Sequence, residues 1–250
     1  MKALRFIPVL AAMVALLALD VPVHAANMDN RIELSARQSY VFKAYLQGDD
    51  IKIQSKDGIV TLTGMVSEEY HKALAGETVA GLPGVKSVDN RLEVRGAPPT
   101  ANSDAWLREK VKATLLFHRS VSTMTEVDVK DGIVTLRGDA ATQTQRELTT
   151  EYAKDVEGVK GVTNDMTVAQ VSKKTQTIGE KIDDASITAQ VKMTLLYHRS
   201  TSAINTKVET QGGVVTLYGK ARTMDELNLA TKLAGDVNGV RDVNNRMVIE

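Results

Sequence analysis

The side chains best suited to chemistry occur twice in nearly the same wording, as Leu115-Leu116-Phe117-His118-Arg119-Ser120 and as Leu195-Leu196-Tyr197-His198-Arg199-Ser200. An imidazole beside a guanidinium can hold a phosphate or another anionic headgroup through charge-assisted hydrogen bonds. The same residues at a helix end can do something simpler. Basic groups there complement exposed carbonyls and the negative end of the helix dipole, for about 0.3–1 kcal/mol each. Repetition does not separate the two, since a duplicated unit copies its structural devices along with its sites; capping is the simpler reading. A second candidate centres on Trp106, with Lys110 four residues on and Arg108 and Lys112 beside it. An indole in the headgroup zone with cations near the phosphates is how a helix lies on an anionic membrane. Asp104 and Glu109 dilute that charge, and a tryptophan at a helix start also packs well against a neighbouring unit. The candidate contacts for a phospholipid surface or a protein partner are therefore Trp106, Arg108, Lys110, Lys112, His118, Arg119, His198 and Arg199.

Catalysis would need a nucleophile with its base, or a polar cluster around a cleft. Beyond His24 near the N-terminus, the histidines are His71, His118 and His198, none with a metal-ligand spacing, and no glycine-rich phosphate loop opens a helix. The acidic residues scatter along solvated helix faces. The reading is a non-enzyme with no catalytic residues, no metal and no cofactor. The charges balance, 31 Lys and Arg against 31 Asp and Glu, so there is no clustered basic field of the kind that grips nucleic acid. With no cysteine, the chain has neither a disulfide nor a lipid-modified cysteine. Lys2 and Arg5 precede an apolar run from Phe6 to Leu19, followed by Val23-His24-Ala25. This has the form of a secretory signal cut after Ala25 or Ala26. The run is shorter than the roughly 20 apolar residues that span a bilayer.

The elements that would position these residues come from an internal repeat. Asp57-Gly58-Ile59-Val60-Thr61-Leu62-Thr63-Gly64 returns as Asp131-Gly132-Ile133-Val134-Thr135-Leu136-Arg137-Gly138, and again as Gly212-Gly213-Val214-Val215-Thr216-Leu217-Tyr218-Gly219. A second block follows each one, at Gly84–Asn90, Gly158–Asn164 and Gly239–Asn245, and the two blocks keep their spacing in every copy. A helix opens each copy, with apolar residues at Leu107, Val111 and Leu115, or at Ile187, Val191 and Leu195. In copy one the pattern around Ile32, Ala36 and Tyr40 is less regular. Asp-Gly or Gly-Gly between short alternating runs predicts a hairpin. Thr142 with Gln145, and Thr223 with Glu226, have the spacing of a capping box that opens a second helix. Gly84, Gly158 and Gly239 are expected to stop that helix, before final strands over Val88–Val94, Val162–Val168 and Val243–Ile249. The fold class is α+β: three tandem α-β-β-α-β modules, each a three-stranded sheet with two helices packed on one face. The chain divides into a signal peptide at 1–26 and modules at 27–95, 101–169 and 180–250. Arg95–Thr100 and the polar stretch Ser172–Thr177 serve as linkers.

The helix followed by the DGIVTLRG strand and the closing V-x-G-V-x-x-V-x-N resembles the BON-domain family of bacterial envelope proteins, in three copies covering nearly all of the chain after its leader. The resemblance implies a periplasmic, non-catalytic module tied to envelope maintenance or osmotic stress, one that binds phospholipid or, in a chaperone-like way, other envelope proteins. Stress-induced members commonly carry two copies, so three is a departure. Two other roles stay open. One is small-ligand or K⁺ sensing, because a relative in the family pairs a BON module with potassium binding; the other is a structural spacer in an envelope assembly. Copy one departs further: its strand region is longer, and its first helix lacks the His-Arg-Ser ending.

Overall fold

The computed structural model describes residues 21–96, 100, 103–121, 125–168, 181–201 and 206–250, with side chains from Asn27 onward. The run Phe6–Leu19 lies outside the described residues, while Ala25 and Ala26 fall in the first helix. Module 1 comprises α1 (Val21–Gln38), α2 (Tyr40–Ala44), β1 (Asp50–Lys56), β2 (Ile59–Val66), α3 (Glu69–Ala80) and β3 (Ser87–Val94). Module 2 comprises α4 (Asp104–Phe117), β4 (Thr125–Lys130), β5 (Ile133–Ala140), α5 (Gln143–Lys154), β6 (Gly161–Asn164) and β7 (Thr167–Val168). Module 3 repeats this with α6 (Asp184–Tyr197), β8 (Thr206–Gln211), β9 (Val214–Ala221), α7 (Met224–Gly235), β10 (Asp242–Asn245) and β11 (Val248–Ile249).

In every module the middle strand pairs antiparallel with the strand before it and parallel with the strand after the helix. The register is the same each time, with Val60 opposite Val88, Val134 opposite Val162 and Val215 opposite Val243. The hairpin turns have left-handed backbone at both central positions: φ is 54° and 80° at Asp57-Gly58, 53° and 80° at Asp131-Gly132, and 57° and 79° at Gly212-Gly213. That is the turn whose twist matches paired strands, and it explains the repeated dipeptide. An aspartate on each first helix, at the start of α4 and α6 and within α1, then closes the turn. Asp104 accepts from the Asp131 and Gly132 amides at 2.7 and 2.9 Å, and Asp184 from Gly212 and Gly213 at 2.7 and 2.8 Å. Asp29 does the same for Asp57 and Gly58 at 2.8 and 3.0 Å, and its hydrogen bonds with Ser55 and Gly58 hold its carboxyl below the usual range. Replacing Asp104 with alanine leaves two turn amides to water and should cost about 1 kcal/mol, read as a lower urea midpoint with an unchanged slope.

Thr142 and Thr223 cap α5 and α7, accepting from Gln145 and Glu226 amides at 3.0 and 3.1 Å. The reciprocal bond goes one residue further back than in a standard capping box, from the Ala141 and Arg222 amides, at 2.7 and 2.8 Å. Two expectations need correction. The second helices end at the cap residues Gly81, Asp155 and Asp236, so Gly84, Gly158 and Gly239 lie in the turn beyond rather than at the helix stop. The last strand is continuous in module 1 but interrupted at Asp165-Met166 and at Arg246-Met247. At those breaks the side chains of Asn164 and Asn245 each accept the amide two residues on, both at 2.9 Å, which draws it away from the ladder. The same asparagines donate to the carbonyls of Arg146 and Leu227, at 2.9 and 3.0 Å, and so tie the strand to the helix before it. In module 1 Asn90 ties its strand to α3 in the same way, donating to the Lys72 carbonyl at 2.8 Å, but accepts the Leu92 amide only at 3.3 Å, and that strand stays whole.

Alternation along the middle strands buries Val60, Leu62 and Val66, then Val134, Leu136 and Ala140, then Val215, Leu217 and Ala221. The helices cover this face. The opposite face is open, with Ile59 50% and Ile133 41% exposed. Each module keeps its own apolar core. The core of module 1 also reaches Ala113 and Phe117 of α4 and Ala185, Ala189 and Met193 of α6, so the three modules pack together through their helices.

Candidate functional site

The two His-Arg-Ser segments meet at one place. α4 and α6 end at Phe117 and Tyr197, and the backbone turns extended at His118 (φ −88°, ψ 125°) and at His198 (φ −80°, ψ 129°). Each segment then runs beside the C-terminus of the other module's second helix, forming single bridges His118–Val237 and Val156–His198. The Arg119 amide donates to the Asp236 carbonyl at 3.1 Å and the Asn238 amide to the Phe117 carbonyl at 3.0 Å. Reciprocally, the Arg199 amide donates to the Asp155 carbonyl at 2.9 Å and the Glu157 amide to the Tyr197 carbonyl at 3.2 Å. Modules 2 and 3 are thus related by an approximate two-fold axis. The guanidinium of Arg119 reaches the carbonyls of Gly235 and Val240, and that of Arg199 reaches the carbonyl of Val156. Basic groups do meet unpaired helix carbonyls here, but those of the partner module's helix instead of their own.

Carboxylates complete the seam. His118 has a fully buried ring, stacked on Tyr152 with centroids 3.9 Å apart. Its Nδ1 lies 3.2 Å from Asp236, a close approach without the direction of a hydrogen bond. Asp236 also accepts from the Tyr152 hydroxyl at 2.7 Å and from Ser120. Burial pushes the Asp236 carboxyl up, but His118, Ser120 and Tyr152 outweigh that and hold it at about 2. Burial and the neighbouring Asp236 carboxylate raise the Tyr152 hydroxyl. Across the axis, His198 Nε2 is 3.5 Å from Asp155. Burial lowers the His198 imidazole against the pull of Asp155, with Arg199 and His118 adding to the lowering.

Above the histidines, α4 and α6 present Lys110, Thr114 and His118 opposite their counterparts Gln190, Thr194 and His198. All six are buried. Thr114 Oγ1, Thr194 Oγ1, Gln190 Oε1, both His118 nitrogens and His198 Nε2 have no directed hydrogen bond from protein. Each buried polar atom without a partner costs about 1–3 kcal/mol, so this contact is weaker than an apolar one of the same area. Since the folded-state imidazole of His198 titrates below its unfolded value, its contribution to stability is present above about pH 6.5 and is lost as pH falls below that. Asp236 behaves the same way further down, holding until pH drops below its unfolded value toward 2. Urea midpoints should therefore fall between pH 7.5 and 5.5, by less in His198→Gln than in the parent chain.

The other candidates separate. Lys110 is buried, with Nζ 4.1 Å from the centroid of the Trp106 ring, 5.6 Å from that of Tyr197 and 3.4 Å from the Glu157 carbonyl; burial lowers its ammonium. Trp106 packs against the core of its own module. Lys112 pairs with Glu68 of module 1 at 3.1 Å. Arg108, Arg119 and Arg199 keep exposed surface. Module 1 lies across both first helices. Its Glu77 pairs with Lys192 of α6 at 2.6 Å, and its Tyr40 and Val41 amides donate to Asp183 and Ser186 at 2.7 and 3.1 Å. Tyr45 meets the edge of Phe117 at 5.7 Å.

Asp155, Asp236 and Tyr152 are functional residues that do not stand out in the sequence. A signal for the first two was present. Asp155 and Asp236 occupy the helix-cap place where copy one has Gly81, and copy one is also the copy without His-Arg-Ser. Both halves of the contact come and go together.

The profile of the BON domain matches residues 28–96, 103–170 and 183–250. The chain belongs to the BON-domain family. Among its relatives, the osmotically-inducible protein Y of Escherichia coli is 33% identical over 143 residues, which is 55% of this chain and 71% of that protein. The outer membrane lipoprotein DolP of Haemophilus influenzae is 32% identical over 119 residues, 45% of this chain and 56% of DolP. A solved structure of CdsD, a structural protein of the type III secretion system of Chlamydia trachomatis, aligns over 91% of both chains at 17% identity. Its TM-score of 0.24 gives that likeness no bearing on fold or function. Among the described residues no cluster of three or more His, Cys, Asp or Glu is arranged to hold a metal ion, and no helix is long and apolar enough to cross a membrane.

Proposed function

We propose that this BON-domain protein is a non-catalytic component of the bacterial envelope, working in the periplasm after export and acting by binding phospholipid surfaces or other envelope proteins. The observation that carries the reading is the arrangement of the modules. Their helices are spent on one another, and the reactive side chains His118, His198, Lys110 and Asp236 are engaged in that contact, while the sheet faces stay open with Ile59, Met65 and Ile133 partly exposed. Relatives whose names place them in the outer membrane or under osmotic induction point the same way. Several weak faces held in one body raise the effective concentration for a repeated partner such as a membrane surface. Of the cationic candidates for that contact, Arg108, Arg119 and Arg199 are the exposed ones.

The test is flotation with vesicles containing anionic lipid, run beside a holdase assay on an unfolding client protein. Binding in the first should weaken as salt rises, because exposed charges are screened. Inactivity in both assays removes the reading. In a positive flotation, Arg108→Glu combined with Arg199→Glu should reduce the bound fraction several-fold.

A further inference from the structure

We infer that the seam between modules 2 and 3 is an exchangeable surface whose second occupant is another copy of this chain, with module 2 of one chain pairing with module 3 of the next. The case starts from reciprocity. Four backbone hydrogen bonds join the modules, two in each direction: Arg119 to Asp236, Asn238 to Phe117, Arg199 to Asp155 and Glu157 to Tyr197. None of them depends on the modules sharing a chain. What makes the pairing intramolecular is the stretch from Val168 to Asp183, with Ser172-Lys173-Lys174-Thr175-Gln176-Thr177 in its middle.

Two further observations make exchange feasible. The apolar cores of modules 2 and 3 are separate clusters, bridged by Tyr152, which packs against both. Separation therefore leaves the cores of modules 2 and 3 in place, while the core of module 1, which takes in Ala185, Ala189 and Met193 of α6, must close again on the incoming module 3. The surface that parts carries Thr114, Thr194, Gln190, His118 and His198, buried polar groups with atoms lacking a directed protein partner; such groups lose less on meeting water than apolar ones do. A repeat protein with a self-complementary internal contact and a polar connection has the ingredients of domain exchange. Residues 169–182 keep both modules in one chain, and the effective concentration this gives makes the closed monomer dominate in dilute solution. Removing the ability of the connection to span should reverse that preference.

The absence of cysteine makes a direct test possible. Glu157 and Leu196 lie on opposite sides of the seam, the Glu157 amide donating to the carbonyl of Tyr197, the residue after Leu196; the Glu157 side chain is 72% exposed and Leu196 is 46% exposed. Chains carrying Glu157→Cys alone and Leu196→Cys alone would be unfolded in urea, mixed, refolded together and treated with a short bis-maleimide. A crosslinked dimer containing one chain of each kind forms only when module 2 of one meets module 3 of the other. The expected result is a mixed dimer that increases with protein concentration and dominates when residues 172–177 are deleted from both chains. The doubly substituted chain, crosslinked within itself and seen as a monomer, controls for reach. The inference is overturned if that control crosslinks while neither the full-length mixture nor the shortened one yields a mixed dimer at any concentration up to about a millimolar.

Discussion

Gly64→Ala should unfold module 1. Gly64 has φ of 117°, backbone that a residue with a side chain rarely adopts, and an added Cβ would lie 1.9 Å from the Asp50 carbonyl oxygen on the paired strand. That oxygen belongs to the backbone and cannot swing aside, so β1 and β2 must part where Ile51 faces Gly64. Strain of this kind together with a broken ladder costs more than about 3 kcal/mol, a large share of what a small domain has to spend. The consequence also travels. Module 1 covers Ala113, Phe117, Ala189 and Met193 on the helices of its neighbours, and its loss uncovers them. In urea, circular dichroism should show an early transition, while fluorescence of Trp106, the sole tryptophan and a resident of module 2, should change later. Coincident transitions at the parent midpoint would show that the close approach at Gly64 has no such cost.

Asp236→Ala is the second large effect. It removes the carboxylate that accepts from Ser120 and Tyr152 and that lies 3.2 Å from His118, and leaves a buried imidazole and a half-buried hydroxyl without it. The carboxyl is held at about 2 against an ordinary 3.8. At about 1.4 kcal/mol per unit this corresponds to roughly 2–3 kcal/mol, similar to the loss of several charge-assisted hydrogen bonds. The parent chain should keep this contribution above about pH 4 and lose it as pH falls toward 2, while the variant shows no such step. Asp236→Asn keeps the shape and the acceptor oxygen without the charge, and should recover part of the loss. Asp155→Ala should cost less, because Asp155 has neither a tyrosine hydroxyl nor a serine on it: its counterpart of Tyr152 is Leu233 on α7.

What the sequence revealed was the local part. Asp131-Gly132 announces its turn because left-handed backbone is a property of two residues, and Thr142 with Gln145 announces a helix start because both partners lie within one turn of helix. The triple repeat exposed the fold for the same reason, since each module closes its sheet over its own Val-x-Leu strands. The seam was less legible. The sequence marks His118 and Arg119 as carbonyl-capping groups, yet the carbonyls that the Arg119 guanidinium meets, at Gly235 and Val240, are more than a hundred residues away, and helix-end chemistry does not say which helix is meant. Lys110 read as a surface cation from its spacing to Trp106, and only packing shows that Tyr197 and Glu157 enclose it. The interruption of the last strand at Asp165 was also hidden. An asparagine side chain competing with a ladder is a choice between two hydrogen bonds of nearly equal worth.

Modules 2 and 3 are joined through reciprocal backbone contacts, and amide hydrogen exchange followed by NMR on the intact chain tests this directly. The amides of Arg119, Arg199, Glu157 and Asn238 should all be protected, and in Asp236→Ala all four should lose protection together while the amides of β5 and β9 keep theirs. Unprotected Arg119 and Arg199 amides in the parent chain, with protected β5 and β9, would mean that the modules fold as described but do not meet at this seam.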